Sequence, residues 1–117
     1  MSEPFFNFEG KTFNLDFEHD TLCSLYIVYD KVSKTQVSRI IEAKNDYVAI
    51  LGFEKLLKDK EEKEHDISIY ELYCLGDINY ESKRIFESED EDKFICNSNF
   101  DFEKFFEEVK LFINAQE

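Results

Sequence analysis

At 117 residues the chain has the length of one ordinary domain, and 43% hydrophobic content with thirteen Phe and six Tyr supplies a packed interior, which excludes a second core and wholesale disorder. Its formal net charge of -13 sits at the ends: residues 1–21 hold five acids against Lys11, residues 87–117 hold ten against three lysines, and the stretch between holds twelve against ten bases. Such a field repels phosphate backbones and attracts basic proteins, so residues 1–117 are expected to form a single domain with a basic protein as partner.

Along the chain, Phe5-Phe6-Asn7-Phe8 and Thr12-Phe13-Asn14-Leu15-Asp16-Phe17 alternate apolar and polar residues around Glu9-Gly10-Lys11. This is a hairpin pattern, with Gly10 free to take positive φ at the turn. Leu22 to Tyr29 and Gln36 to Ala43, rich in β-branched and aromatic residues, predict a second hairpin around the polar stretch Asp30 to Thr35. In the first of these strands Cys23, Leu25, Ile27 and Tyr29 share one face while Tyr26 and Val28 make the other apolar, which marks a central strand.

Asn45 or Asp46 can cap a helix over about 46–62, whose apolar positions Ala49, Ile50, Phe53, Leu56 and Leu57 recur at helical spacing. Ile67 to Leu75 reads as a strand stopped at Gly76-Asp77, and Ile78 to Phe86 as a weaker one completing a third hairpin. After the acidic stretch Glu87 to Asp92, read as a solvated loop, Phe94-Ile95-Cys96 suggests a short edge strand. Asn99 or Asp101 then caps a helix over about 100–114, with Phe102, Phe105, Phe106, Val109, Phe112 and Ile113 in an apolar stripe. Truncating Phe106 in that stripe is expected to cost about 3 to 5 kcal/mol if the stripe is core. The fold class is α+β: a mostly antiparallel sheet of five to seven strands built from hairpins, with the two helices packed on it.

Residues that carry chemistry are sparse. His19 and His65 lie in no spacing that pairs with Cys, Ser or a second His, and three scattered glycines form no phosphate loop. Cys23, Cys74 and Cys96 are odd in number and lack any CxxC pair, which suits reduced thiols in a cytoplasm and no structural zinc. No cofactor, metal or catalytic residue is expected; a carboxylate pair sharing a proton ranks third among the functional readings. No apolar run approaches the roughly 18 to 20 residues that cross a bilayer, and the start MSEPFFNFEG lacks an export signal, so no membrane role is expected and a cytoplasmic location is.

Two surfaces are candidates for binding. The acids Glu87, Glu89, Asp90, Glu91 and Asp92, with Glu103, Glu107 and Glu108 of the last helix, make an acidic face for a basic protein, a face whose spaced carboxylates can imitate nucleic-acid phosphates. A free sheet edge offers a second docking mode. Alternatively, Lys31, Lys34 and Arg39 around the second hairpin, with Tyr26 and Tyr29 beside them, could track phosphates and stack bases of a single strand.

The pieces Leu25-Tyr26-Ile27-Val28-Tyr29-Asp30, Glu42-Ala43-Lys44-Asn45-Asp46, Ala49 with Phe53, and Tyr70-Glu71-Leu72-Tyr73-Cys74-Leu75-Gly76-Asp77 resemble a pattern in the small nonstructural proteins of gokushovirus-type microviruses, which are single-stranded DNA phages. The resemblance covers residues 22–86 alone. It implies a phage-encoded, DNA-binding auxiliary of genome replication or packaging, acting in the host cytoplasm, and brings no catalytic residue with it. The acidic flanks 1–21 and 87–117 lie outside that pattern and favour the reading as a non-enzymatic accessory or inhibitory protein that binds a basic partner.

Overall fold

The computed structural model describes residues 5–17, 22–82, 84–87 and 93–115, and at 22 and 84–87 the backbone only. Phe5–Phe8 (β1) and Lys11–Asn14 (β2) pair antiparallel with Phe8 opposite Lys11, leaving Glu9 and Gly10 as a two-residue turn. Both turn residues have positive φ, 49° and 78°, the left-handed pair a tight hairpin needs, and Gly10 meets it without strain. This hairpin is a small sheet of its own.

The main sheet comprises β3 (Leu22–Asp30), β4 (Thr35–Gln36), β5 (Ile41–Ala43), β6 (Tyr70–Asn79), β7 (Arg84–Glu87) and β8 (Lys93–Asn97), every pairing antiparallel. β3 and β6 form its centre; β4 and β5 lie along the free side of β3, β7 and β8 along that of β6. With α1 (Asp46–Glu62) and α2 (Phe102–Ala115), the chain is an α+β domain with a mostly antiparallel sheet.

Three details depart from the sequence pattern, each for a local reason. The second hairpin's return strand is split, because Ser38 takes over the ladder: its Oγ accepts the Val28 N–H at 3.0 Å and donates to the Arg39 carbonyl at 2.8 Å. Ile67–Ile69 is a 3₁₀ turn instead of a strand start, since Asp66 Oδ1 accepts from both the Ser68 N–H and the Ser68 hydroxyl. β6 does not stop at Gly76-Asp77. Leu25 faces Gly76 while Tyr26 faces Cys74, so Leu75 is an extra residue in a bulge, and Gly76 at φ 153° carries the strand through it to Asn79.

A second bulge explains the end of the sheet. Leu72 pairs with Cys96 and Tyr73 with Phe94, leaving Ile95 as the added residue, and the consecutive Ile95 and Cys96 are both buried as a result. Asn45 caps α1, its Oδ1 accepting the Val48 N–H at 3.0 Å, and Glu64 at φ 62° follows the helix end. Asp101 caps α2 through the Lys104 N–H at 3.1 Å.

Tyr26 and Val28 of β3, Leu72 of β6 and Ile95 of β8 join Ala49, Ile50, Phe53 and Leu57 of α1, Phe105 and Val109 of α2, and Phe8 and Phe13 of the hairpin in one core. α1 therefore covers one side of the sheet, and α2 packs its stripe against the hairpin and α1 in the same core. The helix stripe is core, but its anchor is Phe105 and not Phe106: Phe105 is fully buried against six other rings at 5.1 to 6.4 Å, whereas Phe106 is half-buried.

Candidate functional site

Tyr26 cannot stack bases. It is fully buried at the centre of the sheet, and its hydroxyl donates to Asp46 Oδ1 at 2.6 Å. Asp46 Oδ2 accepts the Asn14 N–H at 2.7 Å, and Asn45 Nδ2 donates to the Asp16 carbonyl at 3.0 Å. Burial first, then the Asp46 charge, pushes the Tyr26 phenol above its ordinary range, so it stays a proton donor. The Asn45-Asp46 pair thus locks the strand, the helix start and the N-terminal hairpin together.

The remaining members of the candidate nucleic-acid set are brought to one end of the molecule. Tyr29 is half-buried on β3, Lys31 and Lys34 are exposed in the turn after it, and Arg39 is exposed in the link before β5. Tyr29 also starts a row of rings across three strands, 5.7 Å to Tyr73 of β6 and then 5.5 Å to Phe94 of β8. Two carboxylates interrupt this surface. Glu71 Oε1 accepts from the Tyr73 hydroxyl at 3.2 Å, and Asp30 Oδ1 accepts the Ser33 and Val32 amides, which hold its carboxyl below the usual range and keep it charged beside the lysines.

Of the candidate acidic face, Glu89, Asp90, Glu91 and Asp92 lie outside the described residues, as does the Glu87 side chain. Glu103 and Glu107 stand exposed one turn apart on α2, with Asp101 exposed before them and Leu111, 68% exposed, one turn beyond. Lys104 is drawn aside to Glu9 Oε1 of the hairpin turn at 3.7 Å. Glu108, beside Glu107, is half-buried, and its Oε2 is a buried oxygen without a hydrogen-bond partner among the described residues. On α1, by contrast, the charges cancel locally: Lys58 pairs with Glu54 at 3.4 Å and Lys63 with Asp59 at 3.2 Å.

Among the described residues no three His, Cys, Asp or Glu side chains converge on a metal-holding arrangement, and no helix is long and apolar enough to cross a membrane. Cys23, Cys74 and Cys96 are free thiols; burial pushes Cys74 up to about 11 and Cys96 up to about 12, so neither of those two provides a thiolate near neutrality.

One arrangement has no counterpart in the sequence reading. An open cleft of about 180 Å³ lies between the hairpin, β8 and Phe100, and Lys11 reaches into it. Lys11 Nζ donates to the Ile95 carbonyl and sits 4.3 Å from the Phe94 ring centroid and 5.8 Å from that of Phe13. Lys11 and Ile95 are 84 residues apart, and only the standing of Lys11 as the sole base in an acidic segment could have drawn notice to it.

Compared with known protein families, with curated proteins and with solved structures, the chain matches none.

Proposed function

We propose that the protein is a non-enzymatic accessory or inhibitory protein that docks on a basic protein through the outer face of α2. The observation that carries this reading is the exposed row Glu103, Glu107 and Leu111 on successive turns of α2. Cationic side chains from a partner would pair with the exposed Glu103 and Glu107, and Leu111 would add an apolar anchor beside the two carboxylates. The inner stripe of the helix is committed to the core, so the outer row is presented on a fixed frame. The phage setting rests on the resemblance of residues 22–86 and belongs to the proposal, as does a reducing cytoplasm, which the free thiols favour.

A second reading, a single-stranded DNA auxiliary, is favoured by the Tyr29, Tyr73 and Phe94 ring row near the basic turn. It ranks lower because Asp30 and Glu71 lie within that surface and the whole chain repels phosphate at long range.

The two are separated by measuring binding of a synthetic arginine-leucine peptide and of labelled oligo-dT at low and at physiological salt. The first reading expects peptide binding that weakens with salt and drops about tenfold or more in a Glu103→Lys, Glu107→Lys variant of unchanged melting. Tight oligo-dT binding that falls steeply with salt and is lost on Lys31→Glu, Lys34→Glu would overturn it in favour of the second.

A further inference from the structure

The Lys11 cleft is a site of a different kind from the acidic helix face, and nothing in the docking reading uses it. We propose that it binds a small aromatic carboxylate, the carboxylate pairing with Lys11 Nζ and the ring lying among Phe94, Phe13 and Phe100.

In a chain with 27 acidic residues, Lys11 is half-buried in the cleft, yet no carboxylate among the described residues stands within ion-pair distance of its Nζ. An ammonium has three protons to donate. The Ile95 carbonyl takes one, and the neighbouring rings offer only cation–π contact. A half-buried cation with donors to spare is a receptor for an oxyanion.

Size and lining then narrow the ligand. A cavity of about 150 Å³ accommodates a benzene ring, and drug-sized ligands need about 300 Å³ or more. At about 180 Å³ and open at one side, the cleft suits one ring with its carboxylate and is too small for a nucleotide or large cofactor. Phe8, Phe13, Phe94 and Phe100 line the cleft, with Phe94 and Phe13 nearest the cation, so the non-ionic part of the ligand should be aromatic. A single ammonium also matches a monoanion better than phosphate, whose second charge would remain unpaired.

Other charged groups near Lys11 shape the pH response. Burial lowers its pKa, with Lys93 of β8 acting in the same direction and Cys96 of β8 and Asp46 of α1 opposing. Glu9 at the mouth is engaged by Lys104 at 3.7 Å. The ammonium is needed for binding, so affinity should hold at neutral pH and fall as pH rises through the lowered Lys11 value.

The test is an amide NMR titration of the full chain with benzoate, and with benzamide as its uncharged counterpart. The expected result is saturable movement of the amides at 11 and 94–97 with benzoate, binding weaker by about tenfold or more for benzamide, and a similar loss in Lys11→Met. Phe94→Ala, at a ring already 37% exposed, keeps the cation and should weaken benzoate several-fold, which provides a variant readout if Lys11→Met does not fold. Absence of saturable shifts with benzoate, equal binding of benzamide, or shifts confined to other parts of the chain would overturn the proposal.

Discussion

Phe105 and Phe106 are neighbours in sequence with different duties, and the difference is measurable. Phe105 is fully buried and meets six rings, so Phe105→Ala should cost about 3 to 5 kcal/mol. Phe106 is half-buried, and Phe106→Ala should cost about 1 to 2 kcal/mol by the smaller area it covers. Urea unfolding of the two variants gives both numbers; equal losses would mean that the helix is rotated from the position described.

Titration of buried groups belongs to the same scale. Burial raises the Cys96 thiol from its ordinary 9.0 to about 12 and the Cys74 thiol to about 11, and raises the Tyr26 phenol as well. A folded-state pKa above the unfolded one means that the unfolded chain loses its proton first. The stability from these groups is fully present below about pH 9 and is lost as pH climbs toward 12. Lys11, lowered by burial, works the other way near its ordinary 10.5, but it is one group against three. Urea midpoints should therefore fall between about pH 9 and about pH 10.5, and a Cys96→Ala variant should show a shallower slope. A midpoint that rises over that interval would contradict these burials.

At the scale of elements, the start of α1 is the joint on which the layers meet. Asn45 is fully buried, caps the Val48 N–H and holds the Asp16 carbonyl, so Asn45→Ala should cost about 1 to 2 kcal/mol for the cap alone. A loss under about 0.5 kcal/mol in thermal unfolding would show that water replaces it. Elements governed by near neighbours were legible in the sequence. α1 runs from Asp46 to Glu62 as its cap and apolar spacing indicate, and the Gly10 turn adopts the expected positive φ.

What escaped the sequence depends on distant partners or on side chains that replace the backbone. The bulges at Leu75 and Ile95 are set by the strands opposite them, and the break near Ser38 comes from one hydroxyl entering the ladder. Tyr26 illustrates the limit for the site: a tyrosine on an apolar strand looks the same whether it is offered to a base or held by a buried aspartate, and only the fold places Asp46 2.6 Å away. The acidic row of α2 was legible because helical spacing determines both its buried and its outer faces. Lys11 against Ile95 was not, since 84 residues separate them.

For the whole molecule, a net charge of -13 on a domain of 117 residues means self-repulsion in the folded state. Exposed pairs such as Lys58–Glu54 and Lys63–Asp59 contribute only about 0.3 to 0.5 kcal/mol each, too little for their screening to dominate. The melting temperature should thus rise as sodium chloride increases from about 0.01 M to about 0.15 M, over which the Debye length shrinks from about 30 Å to about 8 Å. A falling melting temperature would mean that ion pairs outweigh repulsion.

Docking on a basic partner through α2 is tested most directly by mapping two ligands on the same labelled sample, an arginine-leucine peptide and oligo-dT, by amide NMR at low salt. The peptide should move the amides of Glu103, Glu107, Glu108 and Leu111, and oligo-dT should leave the spectrum unchanged. Saturable shifts of Tyr29, Lys31, Lys34 and Arg39 on adding oligo-dT, with α2 silent toward the peptide, would contradict it.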